Sequence, residues 1–151
     1  MLPIASATAM TGLEFLSAMR DGRHPVPPFA AETDIRITEV THGRVLFEGV
    51  PSARFYNPLG TVHGGWVATL LDSAMGCAVH STLAAGKAYT TVDMTISLVR
   101  AVTANTGRVR CEDKIVHAGA RIATAKGRVW DCAGTLIAHG TETCLILNAQ
   151  R

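Results

Sequence analysis

Between Gly64 and Ser81 the chain reads GGWVATLLDSAMGCAVHS, an 18-residue segment with helical spacing that is apolar nearly all round. Trp66, Val67, Leu70, Leu71, Ala74, Met75, Ala78 and Val79 leave it no face to give to water. A helix of this kind must be enclosed by the rest of the chain. At ~1.5 Å per residue it is about 27 Å long, and a ten-residue strand reaches ~33 Å, so a sheet can cover it.

The remaining sequence supplies strands. Ile35 and Ile37 alternate with Arg36 and Thr38, His42-Gly43 is a turn signal, and Arg44–Val50 alternates again, which predicts a hairpin. Pro51–Gly60 reads as loop. After the helix, with Gly86 as a stop signal, Tyr89–Val99 puts Val92, Met94, Ile96 and Leu98 on one face. Thr91, Asp93, Thr95 and Ser97 fall on the other. Asn105–His117, Arg121–Cys132 and Thr135–Leu147 follow with period two, joined at Ala118-Gly119 and Ala133-Gly134, which predicts an antiparallel meander. Near the N-terminus Thr11 and Glu14 have capping-box spacing, Leu13, Leu16 and Met19 continue at helical spacing, and Asp21-Gly22 ends the run. His24–Pro28 holds three prolines and reads as an extended connector. The expectation is an α+β domain over residues 1–151, with six antiparallel strands wrapped around one helix. Residues 1–30 form a short N-terminal helix and a Pro-rich connector.

Composition narrows the function classes. With 48% hydrophobic and 17% charged residues, the chain is apolar enough to expect a buried interface between subunits. Lys and Arg are scattered and the formal net charge is +2, which does not point to nucleic acid. Cys77, Cys111, Cys132 and Cys144 lack CxxC spacing and sit in apolar segments, so buried free thiols are expected. No secretory signal and no span of membrane length is evident, so the expectation is a soluble, cytoplasmic protein.

The chemistry converges on the helix and its entry. Asn57-Pro58-Leu59-Gly60-Thr61-Val62-His63-Gly64-Gly65 is a Pro/Gly-rich loop running into a helix N-terminus, where backbone N–H groups stabilise developing negative charge. Asp72 is a lone carboxylate inside the apolar helix, on a stripe with Thr69, Ser73, Gly76 and His80. Buried carboxylates cost several kcal/mol unless paired, so Asp72 is either a reactive group or a structural one bonded across an interface. Gly64 and Asp72 are eight residues apart, about 12 Å along the helix, too far to act on one carbonyl. Two antiparallel copies of the helix across a two-fold axis bring them together, which predicts a homodimer with composite sites. His63 is a base or a support for the loop; Asn57 donates to a substrate or fixes its own turn. No GxSxG elbow, HExxH or comparable metal spacing occurs, and no metal or cofactor is expected. His24, His42, His117 and His139 receive no role.

The string NPLGTVHGGWVATLLDSAMG, Asn57–Gly76, resembles the signature of hotdog-fold acyl-CoA thioesterases of the phenylacetate-pathway type. Thr90-Thr91-Val92-Asp93-Met94 resembles the next strand of that family, and the likeness extends from Thr11 to Leu147. It implies a hotdog fold, a dimer with a continuous sheet, and often a dimer of dimers. It also implies an acyl-CoA substrate, with CoA carried by the substrate and no cofactor. In such proteins the Asp at the position of Asp72 is nucleophile or general base, and the Gly64 N–H polarises the thioester carbonyl, with Gly65 beside it at the substrate. Asn57 positions the carbonyl or water, His63 supports the loop, and Thr91 orients the nucleophile. Arg100, Arg121 and Arg128 are candidates for CoA phosphates, Arg121 first because it follows the Ala118-Gly119-Ala120 turn. The Trp66–Met75 neighbourhood is a candidate acyl pocket or plain core. A hotdog dehydratase or hydratase and a non-catalytic acyl-CoA binder are the alternatives.

Overall fold

The computed structural model describes residues 7–149. Thr11 caps α1 (Gly12–Arg20): its hydroxyl accepts from the Glu14 N–H and the Glu14 carboxylate accepts from the Thr11 N–H. This is the reciprocal bonding that the spacing predicts. The connector is not extended throughout. Pro28 opens a short helix, α2 (Pro28–Glu32), because a first-turn proline has φ preset and loses no bond there.

The strands are β1 (Ile35–Thr41), β2 (Arg44–Gly49), β3 (Lys87–Leu98), β4 (Val109–Ala118), β5 (Ile122–Trp130) and β6 (Leu136–Asn148). They form one antiparallel sheet in the order β1-β2-β4-β5-β6-β3. The hairpin β1–β2 and the meander β4–β5–β6 are the connections that the turn signals predict. The long helix, α3 (Gly64–His80), packs against all six strands. Leu70, Leu71, Ala74, Met75, Ala78 and Val79 are fully enclosed, so the sheet curves around α3 to remove its apolar circumference from water. Trp66 and Met75 belong to this core, and Trp66 also donates its indole N–H to the Thr33 carbonyl at 2.8 Å.

Four features depart from the sequence reading. β4 begins at Val109, not Asn105, because Thr103 and Thr106 cap a 3-10 turn over Ala104–Thr106 and Gly107 leaves it at φ 72°. α3 stops at His80, where Ser81 turns its hydroxyl back to the Ala78 carbonyl and accepts from the Gly43 N–H. Cys132 is exposed in the turn after β5. Most consequential is β3, which carries a β-bulge: Thr91 faces Cys144 and Asp93 faces Thr143, leaving Val92 as the extra residue. The extra residue breaks the period of two, so Thr91 shares the helix-facing side with Met94 and Ile96 instead of opposing them.

β3 closes one end of the sheet, and its far edge pairs with no strand among the described residues. Val92, Met94 and Leu98 are exposed along it. Among the described residues, no helix is long and apolar enough to cross a membrane.

Candidate active site

The loop before α3 is built by Asn57. Its Oδ1 accepts from the Leu59 N–H at 2.9 Å and its Nδ2 donates to Thr61 Oγ1 at 2.8 Å. The Asn57 carbonyl takes the Gly60 N–H, and Gly60 has φ 78°, a left-handed value that glycine adopts without steric cost. Asn57 therefore fixes its own turn, and only one of its two Nδ2 hydrogens is used for it.

The helix entry sorts its three leading N–H groups. His63 Nδ1 accepts from the Gly65 N–H at 2.8 Å, and the His63 carbonyl accepts from the Trp66 N–H at 2.9 Å. The Gly64 N–H finds no acceptor among the described residues. His63 thus caps the helix. Gly65 spends its donor on that cap. Gly64 is the donor left over, at the positive end of the helix.

Asp72 projects from the middle of α3, half-buried, and makes no hydrogen bond or ion pair among the described residues. Loss of water raises its carboxyl above the ordinary value, toward the range where a general base works best. It lines a cavity of about 260 Å³ with Ser73, Tyr89 and Thr91, walled by Met19, Pro27, Phe29 and Phe47. α1, α2 and the connector thus supply much of this apolar wall. A neighbouring cavity of about 190 Å³ shares Met19, Pro27, Ala30, Ile35 and Phe47 with it. The apolar pocket therefore opens on the Asp72 face of α3, and Trp66 and Met75 stay in the core.

A second space of about 290 Å³ lies at the start of α3, lined by Asn57, Thr61, Gly64, Val67, Leu98 and Arg100. It shares no residue with the Asp72 cavity. One chain thus holds the Gly64 N–H and the Asp72 carboxylate in separate places, as the spacing along the helix requires. Arg100 is the basic residue at the loop side. Arg121 sits at the start of β5, beside the C-terminal end of β6, and Arg128 lies with Lys114, Lys126 and His139 on the sheet surface away from α3. The structure brings neither to Gly64 within the chain.

Two buried carboxylates escape a reading centred on the helix. Asp113 on β4 is fully enclosed; its Oδ2 accepts from the Cys111 thiol at 3.0 Å and its Oδ1 has no partner. Burial pushes its carboxyl up to about 8. Gly127, directly across the ladder, makes room for it, since a Cβ there would collide with Asp113 Oδ1. Glu142 on β6 is 1% exposed; its Oε1 accepts from Thr91 Oγ1 at 2.7 Å and from Cys144 Sγ at 3.1 Å, and its Oε2 has no partner. The signal was available for Glu142. Ala138, Gly140, Glu142 and Cys144 form the inward phase of β6, and a carboxylate on that face is out of pattern.

Comparison with known proteins agrees with this architecture. A phenylacetic acid degradation-related protein from Ralstonia eutropha JMP134 is 29% identical, superposes with a TM-score of 0.78, and is matched over 86% of this chain and 98% of its own. The PaaI protein of the phenylacetic acid degradation operon of E. coli (18% identity, TM-score 0.79, covering 89% and 95%) shares the fold. So does thioesterase HI1161 of Haemophilus influenzae (18%, 0.78, covering 90% and 92%). No curated protein matches the chain in sequence. The sheet wrapped on a central helix is the hotdog fold of these neighbours, and the sequence model of the Thioesterase superfamily matches residues 59–138, more than half the chain and the stretch that carries Gly64, Asp72 and Thr91. The chain belongs to the Thioesterase superfamily.

Proposed function

We propose that the protein is an acyl-CoA thioesterase acting as a homodimer. The observation that carries this reading is the pair of unspent groups on α3: the Gly64 N–H and the Asp72 carboxylate, each without a partner among the described residues and each on its own cavity. The free edge of β3, with its exposed apolar side chains, is the surface for pairing two chains into one continuous sheet. Across such a two-fold axis the loop-side space of one protomer adjoins the Asp72 cavity of its partner. The acyl group then lies in the apolar cavity beside Met19, Phe29 and Phe47, and Arg100 serves the phosphates of CoA ahead of Arg121 and Arg128.

In the reaction the thioester carbonyl oxygen accepts from the Gly64 N–H. Asp72 of the partner subunit takes a proton from water, and the hydroxide formed attacks the carbonyl carbon. The tetrahedral oxyanion is held at the helix terminus, where a donor of this kind stabilises it by roughly 3 kcal/mol. The C–S bond breaks, and the CoA thiolate leaves with the proton that Asp72 had taken from water, which returns Asp72 to its carboxylate form.

The test is thiol release from a panel of acyl-CoA esters, including phenylacetyl-, benzoyl- and hexanoyl-CoA, by wild type and Asp72→Asn. The expected outcome is turnover by wild type and a loss of at least a hundredfold in Asp72→Asn, within the ~100–10,000-fold attributed to a positioned base. Saturable CoA-ester binding without thiol release would make the protein a binder instead. A folded Asp72→Asn with wild-type kcat would remove Asp72 from the chemistry.

A further inference from the structure

Glu142 is expensive where it stands. One carboxylate oxygen is enclosed with no partner, and an apolar side chain of similar size would fill the position without that cost. What the carboxylate holds is Thr91. A threonine hydroxyl has one proton to give and two lone pairs to offer, and Thr91 gives its proton to Glu142 Oε1 at 2.7 Å. The bulge at Val92 turns Thr91 to the helix side, where it lines the same cavity as Asp72.

We propose that Glu142 is a positioning residue for the attacking water: by taking the Thr91 hydroxyl proton, it leaves Thr91 Oγ1 as an obligate acceptor beside Asp72. The water then gives one O–H to Thr91 and the other to Asp72, and a lone pair is left to face the thioester carbon. The inference rests on the thioesterase reading and selects, within it, water activated by Asp72 over direct attack by the Asp72 carboxylate. The geometry holds with Glu142 ionised, and with Glu142 protonated on Oε2, because Oε1 accepts in both. Cys144 acts in the same direction. Burial pushes its thiol well up, so it stays protonated and donates to the same Oε1, which keeps the carboxylate turned toward Thr91. Asp113, the other buried carboxylate, lines neither the Asp72 cavity nor the loop-side cavity and has no comparable path to the site.

The test compares Glu142→Leu, Glu142→Gln, Thr91→Val, Thr91→Ser and the Thr91→Val/Glu142→Leu double variant. The substrate is whichever of phenylacetyl-, benzoyl- or hexanoyl-CoA wild type hydrolyses. Thr91→Val and Glu142→Leu should each lower kcat about tenfold or more with KM within roughly twofold, the loss that ~1.4 kcal/mol of misplaced hydrogen bonding gives. Glu142→Gln should stay within about threefold of wild type, since its amide oxygen accepts the same bond, and Thr91→Ser should restore most of kcat. The double variant should be no worse than the weaker single, because both act through one hydroxyl. Glu142→Leu should also melt no lower than wild type, which separates positioning from a structural role. If Glu142→Leu does not fold, the Gln, Ser and Val variants decide. Wild-type kcat in Thr91→Val or Glu142→Leu, multiplicative losses in the double, or equal losses in Glu142→Gln and Glu142→Leu would each overturn the proposal. If wild type hydrolyses no acyl-CoA, the thioesterase reading fails; if it does and these variants behave otherwise, only this inference fails.

Discussion

Asp72, Asp113 and Glu142 are all carboxylates withdrawn from water, and their surroundings separate them. Asp72 is half in a cavity and has only lost solvent. Glu142 gains two donors on one oxygen. Asp113 has a thiol and nothing else, and its carboxyl rises to about 8. That value fixes a sign. The unfolded chain ionises an aspartate near pH ~3.9, whereas folded Asp113 keeps its proton until about pH 8. Between those values the folded state binds more protons than the unfolded one, so Asp113 makes stability fall as pH rises. Its destabilisation is absent below the lower value and complete above the upper. Glu142, also raised by burial, adds to the same trend. Asp113→Asn should therefore gain stability relative to wild type in denaturant unfolding as pH rises from ~5 to ~8, by on the order of a few kcal/mol. A parallel fall of wild type and variant between the two pH values would assign the trend to other groups.

The long helix was legible as an element because its residues leave it no exposed face, and the sheet followed from the lengths and turns of the strands around it. The Asp72 stripe and the Gly64 entry were legible for the same reason: period and spacing report them directly. What the sequence did not disclose depends on contacts across the sheet. The β3 bulge puts Thr91 on the helix side, against a simple alternation carried through Val92, and nothing local in Thr90-Thr91-Val92-Asp93 marks the extra residue. The Glu142–Thr91 bond joins strands 51 positions apart, so only the register brings them together. The sequence favoured Arg121 over Arg100, and only the meeting of the loop with the end of β3 sets Arg100 beside the Gly64 cavity. At the helix entry the sequence left His63 as base or support, and its ring accepts the Gly65 N–H as a cap. His63→Ala should then cost about 1 kcal/mol of stability, the usual value for a lost N-cap, read as a lower unfolding midpoint. Because the cap also fixes the direction of the Gly64 N–H, kcat should fall while its pH profile keeps its shape. A vanished limb in that profile would show that His63 titrates in the reaction.

On the proposed reading, a single molecule of this chain is half of two sites. Gly64 and Asp72 lie about 12 Å apart along a rigid helix, and the cavities they line have no residue in common. The free edge of β3 and the apolar composition of the chain both point to a second copy as what completes them. The arrangement makes a prediction that no one-chain site shares. Gly64→Pro removes the polarising N–H at the first helical position, where proline fits the helix, and leaves Asp72 intact. Asp72→Asn removes the carboxylate and leaves the N–H intact. Each homodimer then has two dead sites. A heterodimer of the two has one doubly damaged site and one wholly intact site, formed by Gly64 of one protomer and Asp72 of the other. Random exchange at equal amounts makes about half the dimers mixed, so thiol release should recover to roughly a quarter of the wild-type rate. Native mass spectrometry on the mixture measures the heterodimer fraction directly. Recovery should track that fraction as the mixing ratio is varied, because only mixed dimers carry a live site. Well-formed heterodimers with no activity above the two parents would place Gly64 and Asp72 of one chain on the same substrate.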